Sequence, residues 1–292
     1  MTPADAAEPT AGPADLADSA DSADSAAALH ALATTPRLLV ALDFDGTLSP
    51  LVDDPMSARM LPAARAAVDA LVATPETTVA FVSGRSLPDL RIIAEHDDDA
   101  RVLLVGSHGA EHWVPGEGVL PTAEDADAVA LRDRLRAEAE NLVAGIPGAW
   151  IEPKTFGFAV PTRTVAPAQR AGVEASVDAL VAAEAPHWRR RTGHHIVEYA
   201  FRDEGKDAGV AWLRDRTGAT AVLFAGDDVT DEDALRSLEP GDVGVRVGAG
   251  ETAATVRVAG IPELADVLAR LADDRTAAHD RTVAHERGAA RE

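Results

Sequence analysis

Unbroken apolar runs recur along this chain, and most are followed by a segment with helical spacing. The runs lie within 37–43 (RLLVALD), 77–84 (TTVAFVSG), 101–109 (RVLLVGSHG), 221–228 (AVLFAGDD) and 242–248 (DVGVRVG), the last interrupted by Arg246. Helical spacing marks 62–73, 87–95, 206–217, 231–238 and 261–272. A strand that alternates apolar and polar residues keeps one wet face, whereas a strand apolar at every position is covered on both. Such strands alternating with helices predict an α/β fold, a Rossmann-like parallel sheet with helices on its two faces. Ligands on sheets of this kind sit at the carboxyl ends of the strands.

The stretch 112–200 has another texture. Its pattern reads as a helix, two short alternating strands, a helix and a further strand. That predicts an α+β cap inserted between two core segments, 36–111 and 201–272. Residues 1–35 repeat Ala, Asp, Ser and Pro and hold too little apolar bulk to offset the entropy of ordering, so they read as a disordered acidic tail. Residues 273–292, charged and Ala-rich, read as a charged tail or a frayed helix. With 49 acidic against 27 basic residues the net charge is -22, which argues against a nucleic-acid partner. There is no cysteine, hence no disulfide framework and no thiol chemistry. No apolar run approaches the roughly 20 residues that span a bilayer. The acidic N-terminus has no lysine or arginine before Arg37 and does not read as a signal peptide. The expectation is a cytoplasmic monomer, without membrane or nucleic-acid partners, that acts on a small molecule.

Polar residues gather where the apolar runs end. Asp43 and Asp45 close the first, Ser83, Gly84 and Arg85 the second, Ser107, His108 and Gly109 the third, and Asp227 and Asp228 the fourth, while Lys206 opens a helix. Strand ends on one edge of a parallel sheet converge, so these residues can share a pocket. Two carboxylates two residues apart repel each other. A divalent cation held between Asp43 and Asp227 relieves that repulsion. One carboxylate can then attack an electrophile while the other handles a proton, which is phosphoryl-transfer logic. Alone, Asp-x-Asp-Gly is also an ordinary turn or the start of a calcium loop, but Thr47 and Asp54 fail the ligand pattern of such a loop. His187, His194 and His195 flank the basic stretch HWRRRTGHH, which reads as solvated charge on an exposed loop, and GAGETAAT (248–255) as a turn opening a short helix. Trp113, Trp150, Trp188 and Trp212 read as packing residues.

The set DFDGTL, SGR, Lys206 and GDDVTDED resembles the haloacid dehalogenase-like phosphatases. GSHGAE (106–111), IEPK (151–154) and the form GDDxTDE are similar to the trehalose-6-phosphate phosphatases, with resemblance over about 36–272. The resemblance implies an Mg²⁺-dependent hydrolase for trehalose 6-phosphate. Asp43 is then the nucleophile, and Asp45 protonates the leaving oxygen and later activates water. Ser83 and Lys206 hold the phosphoryl oxygens, and Gly84 and Arg85 shape their loop. Asp43, Asp45 (through its carbonyl), Asp227 and Asp228 form the metal site, with Asp231 in support. Glu152, Lys154, Glu198 and Arg163 are implied sugar contacts, with His108 and Gly109 near the sugar–phosphate junction. The chain departs from the family in reading Pro161-Thr162-Arg163 where His-Tyr-Arg is frequent, and Asp207 where glycine is usual. Alternatives left open are a phosphatase for sucrose 6-phosphate or another sugar phosphate, a phosphotransferase, and a non-catalytic regulatory partner.

Overall fold

The computed structural model describes residues 23–123, 125–193 and 195–289. The elements in chain order are α1 (Ala23–Thr34), β1 (Leu38–Leu42), α2 (Pro62–Ala73), β2 (Thr77–Val82), α3 (Leu87–Ile93), β3 (Leu103–Gly106), β4 (Glu111–Val114), β5 (Gly118–Val119) and α4 (Ala126–Val143). They continue with β6 (Glu152–Lys154), β7 (Gly157–Pro161), α5 (Pro167–Glu184), β8 (Arg189–Gly193), β9 (Ile196–Ala200), α6 (Lys206–Thr217) and β10 (Ala221–Gly226). Last come α7 (Glu232–Ser237), β11 (Val243–Val247), β12 (Val256–Val258) and α8 (Ile261–Ala289).

Eight strands form one sheet in the order β12-β11-β10-β1-β2-β3-β4-β5, parallel from β12 to β3 and antiparallel at β4 and β5. Period-two geometry explains why β1 must be apolar throughout. Leu38, Val40 and Leu42 pack into one layer with residues of α1, α2 and α8, and Leu39 and Ala41 into the other with Val210 and Leu213 of α6. Phe44, two positions past Leu42, joins the first layer and meets Phe81 edge-on at 5.7 Å. A second sheet has four antiparallel strands in the order β6-β7-β9-β8. Phe158 and Tyr199 on one of its faces pack with Leu135 of α4 and Val173 and Val177 of α5 in a separate core. No described helix is long and apolar enough to cross a membrane.

Several expectations are corrected. Residues 23–34, assigned to a disordered tail, form α1 with Leu32 fully buried; residues 1–22 and 290–292 lie outside the described residues. Residues 273–289, read as a tail or a frayed helix, continue α8. One residue ties the two segments together. The buried guanidinium of Arg275 donates to the carbonyl oxygens of Leu32 (3.1 Å), Thr35 (2.7 Å) and Glu76 (2.6 Å) and to Thr77 Oγ1 (2.6 Å). It caps the end of α1 and ties it to the turn before β2, a pairing about 240 residues apart that local composition cannot reveal. Residues 111–119, placed mostly in the cap, belong to the large sheet as β4 and β5, because their ladder runs against β3. The stretch 251–254, expected to open a helix, is irregular and leads into β12. Trp113 and Trp188 are packed inside, but Trp150 is exposed.

Arg275→Met should strand those buried acceptors and lower stability by about 3 kcal/mol. Urea unfolding measures it, and limited proteolysis should cut residues 23–36 first. A variant as stable as the parent would remove Arg275 from this role.

Candidate active site

Strand β1 ends by pairing: Asp43 N donates to Ala225 O of β10 at 2.9 Å. The chain then reverses at once. Leu48 N and Ser49 N both donate to Phe44 O at 2.9 Å, and Gly46 N donates to Ser49 O at 2.7 Å. Gly46 has φ +81°, and a Cβ there would lie 2.0 Å from Asp227 Oδ2, so only glycine lets the two aspartate-bearing loops approach. Thr47 Oγ1 lies 3.4 Å from Asp43 Oδ2 and 3.3 Å from Asp227 Oδ1.

Lys206, the first residue of α6, is buried and donates to Asp43 Oδ1 and Asp231 Oδ1, each at 2.6 Å. Asp231 Oδ2 accepts from Asp228 N at 2.8 Å. Asp43, Asp227 and Asp231 can each offer an oxygen within 4.8 Å of the others. Asp231 is engaged on both oxygens, by Lys206 at 2.6 Å and by Asp228 N at 2.8 Å, and positions those groups. Asp43 Oδ2 and Asp227 Oδ1, by contrast, meet only the Thr47 hydroxyl, at 3.4 and 3.3 Å, and are the oxygens open to a cation. Burial pushes the Asp43 carboxyl well above the usual carboxylate range, Asp231 and Asp227 add to the rise, and Lys206 opposes it. Burial likewise pushes Asp227 up to about 6, with the Asp231 charge adding. Converging carboxylates raised in this way, all with oxygen donors, fit a hard divalent cation. Of the expected metal set, Asp228 lines the cavity without joining the cluster, and the Asp45 side chain turns elsewhere. Arg85 Nε and Nη2 grip the Asp45 carboxylate at 2.6 and 2.7 Å.

Ser83 follows β2 directly and is buried, and its Oγ accepts from Arg85 N at 3.2 Å. His108 stands in a left-handed turn (φ 59°) after β3, with its N–H on Ser83 O at 2.9 Å. Its ring lies over Gly84, where a Cβ would sit 2.5 Å from His108 Cε1. From the cap, Glu152, Lys154 and Glu198 project toward these strand ends, and all line one cavity of about 320 Å³ with Asp43, Ser83 and Lys206. Lys154 Nζ donates to Glu152 Oε1 at 2.8 Å, and His108 Nε2 is 3.4 Å from Glu198 Oε2.

One expected contact differs. Gly109 is not on the cavity wall; it packs against α6, where a Cβ would stand 2.6 Å from Gly205 O. Arg163 lines the cavity and also donates to Val52 O (3.4 Å) and Asp53 O (3.2 Å) of the core loop opposite. A second correction concerns the RRR stretch, expected to be solvated. It is β8, and its arginines are paired: Arg190 with Asp178 at 2.6 Å, Arg189 with Asp233 at 2.5 Å, and Arg191 with the Glu204 carbonyl. Arg191 lines the cavity and went unrecognised. The one available signal was position: two residues before Gly193, it shares a strand face with Arg189. His194 lies outside the described residues.

Burial alone would raise Glu198, but His108, Lys154 and Arg191 outweigh it and hold the carboxyl at about 2. Burial lowers His108 from its ordinary value, and the Glu198 carboxylate opposes that shift. The sign follows. A carboxyl lowered from 4.5 to about 2 contributes stability that is complete above pH 4.5 and lost as pH falls through 2. Glu198→Gln should therefore flatten the fall in melting temperature across that acid range. Parallel curves for parent and variant would refute the pairing.

A parallel sheet whose first strand ends in Asp-x-Asp, with a serine after the next strand, a buried lysine opening α6, paired aspartates after β10 and a cap between the two halves, defines a haloacid dehalogenase-like phosphatase fold. Within that class, the chain belongs to the trehalose-phosphatase family, whose sequence model matches residues 41–261. A trehalose-phosphate phosphatase of Mycobacterium ulcerans is 32% identical over 261 residues, 84% of this chain and 65% of the relative. One from Mycobacterium leprae is 35% identical over 74% of this chain and 52% of its own length. The chain thus spans about two thirds or less of these relatives. The C-terminal domain of Candida albicans trehalose-6-phosphate phosphatase shares the fold, with a TM-score of 0.74 at 20% identity over 85% of this chain and 96% of that one.

Proposed function

We propose that the chain hydrolyses trehalose 6-phosphate to trehalose and phosphate, with Mg²⁺ as cofactor. The observation that carries this reading is one cavity with two unlike ends. The core end holds Asp43 beside Lys206 and Ser83, groups suited to a phosphoryl centre. The cap end holds Glu152, Lys154 and Glu198, groups suited to hydroxyls.

In the first step an Asp43 oxygen bonds to phosphorus, the bond from phosphorus to the sugar oxygen breaks, and Asp45 gives that oxygen its proton. In the second, water attacks the aspartyl phosphate, Asp45 takes the water's proton, and the Asp43 carboxylate is regenerated with release of phosphate. Lys206 and Ser83 hold phosphoryl oxygens throughout. Asp45 rests on Arg85 in this structure, so it must turn from the guanidinium toward the substrate before it acts. Asp43, Asp227 and the Asp45 carbonyl would hold Mg²⁺, which would supply charge neutralisation at the phosphoryl oxygens.

Phosphate release from trehalose 6-phosphate, with Mg²⁺ and with EDTA, beside sucrose 6-phosphate and glucose 6-phosphate, tests the reading. Metal-dependent release from trehalose 6-phosphate in clear preference supports it. Preference for another sugar phosphate would keep the Asp43 chemistry and displace the substrate.

A further inference from the structure

The cap sheet carries a charged row that the chemistry above uses only in part. In register across β6, β7, β9 and β8 stand Glu152, Ala159, Glu198 and Arg191. Directly paired residues of neighbouring strands point to one face. Here that face is the cavity side, because Phe158 and Tyr199, one residue out of phase, fill the cap's own core. The row therefore ends in a guanidinium.

Arg191 is 8% exposed and lines the cavity. Its Nη2 donates to the Glu204 carbonyl, while its buried Nε has no partner. Nη1 stands 3.9 Å from Glu198 Oε1, and among the described residues Glu198 is the sole carboxylate within ion-pair reach of Arg191. That gap is too long for a hydrogen bond. It is also short enough for one oxygen to lie about 2.8 Å from both atoms. A hydroxyl suits such a position because it donates once and accepts twice. Glu152 and Lys154, by contrast, already touch at 2.8 Å, so a hydroxyl there would have to break an existing contact.

We infer that Arg191 is a specificity-determining residue, which with Glu198 holds one ring hydroxyl of the sugar: the hydroxyl donates to Glu198 Oε1 and accepts from Arg191 Nη1. This rests on the sugar-phosphatase reading and adds to it a named donor–acceptor pair. It also explains a buried cation on the cap that no carboxylate closes upon.

The test is Arg191→Gln in the full chain, assayed on trehalose 6-phosphate, its monodeoxy analogues and p-nitrophenyl phosphate, which has no sugar. Losing a charged donor to a hydroxyl should lower kcat/KM for trehalose 6-phosphate about 10- to 100-fold. The sugar-free ester should stay within about twofold, since it makes no such contact. One monodeoxy analogue, poor for the parent, should be no worse than the full sugar for the variant. Equal losses on sugar and sugar-free esters would overturn the inference, because Arg191 would then act only through the linker that leads from Glu204 to Lys206. No loss, or a parent that discriminates against no deoxy analogue, would overturn it too. Should Arg191→Gln fail to fold, Arg191→Lys keeps the charge and should show a smaller loss of the same sugar-selective kind. The substrate reading fails separately: a parent that prefers another sugar phosphate displaces trehalose 6-phosphate, and the Arg191 ratio is then read on that sugar. A parent inactive on every sugar phosphate overturns both.

Discussion

Asp43→Asn should lower turnover at least about a thousandfold, equivalent to about 4 kcal/mol of barrier, while the protein stays folded. The amide has no charge to attack phosphorus. Asp45 should not replace it, because Asp43, not Asp45, makes the Lys206 contact and Asp45 is assigned to proton transfer. The fold should survive, and melting without divalent cation should be unchanged or raised. Asp43 is buried among Asp227 and Asp231, and its pKa is raised above 3.8 on folding. A carboxyl raised by folding weakens the folded state as pH climbs from 3.8 through the raised value. The asparagine variant lacks that penalty, and Lys206 keeps Asp231 as partner at 2.6 Å. Steady-state assay with thermal melting at pH 5 and 7.5 measures both halves. Turnover within tenfold of the parent would remove Asp43 as nucleophile. A melting temperature several degrees lower would mean that the Lys206 contact outweighs burial.

Lys206→Met should harm activity and stability together. Methionine fills similar space but leaves Asp43 and Asp231 buried without their cation. Removing one partner of a buried pair costs about 3–5 kcal/mol, since the charge left behind is uncompensated. Coulomb attraction and hydrogen bonds to both aspartates outweigh burial and hold the Lys206 amine above the usual lysine range. A base raised by folding stabilises fully below its ordinary 10.5 and loses that contribution only above it, so neutral solutions contain the whole effect. In the variant, acid should help, because protonating the stranded Asp43 carboxyl, which burial already raises, relieves its repulsion with Asp231. The difference in urea midpoint between parent and variant should shrink from pH 7.5 to pH 5. A constant difference would point to packing rather than charge. Turnover should drop at least about a hundredfold, because a phosphoryl-holding cation is lost.

The parallel core was open to reading because its evidence is local. Each of 38–42, 79–82 and 221–225 is apolar without interruption, and only a sheet covered on both faces needs that. The convergence of Asp43, Ser83, Lys206 and Asp227 followed from strand direction alone. Arg191 did not. Three arginines in a row look like solvated charge until strand pairing assigns alternate ones to opposite faces, Arg190 to Asp178 and Arg191 to Glu198. Asp231 stood in a motif, but its engagement with Lys206 and with Asp228 N depends on α6 meeting the β10 loop.

The sequence by itself therefore determined the α/β core and the sheet edge at which Asp43, Ser83, Lys206 and Asp227 gather. These depend on residue periodicity and on which residue types can do the work. Only the tertiary structure decided that α1 is pinned by Arg275, that Arg163 reaches the opposite core loop, that Asp45 rests on Arg85 and that Arg191 faces Glu198 across 3.9 Å. Each of those depends on contacts between segments far apart in the chain, and a distant charge or carbonyl leaves no trace in local pattern.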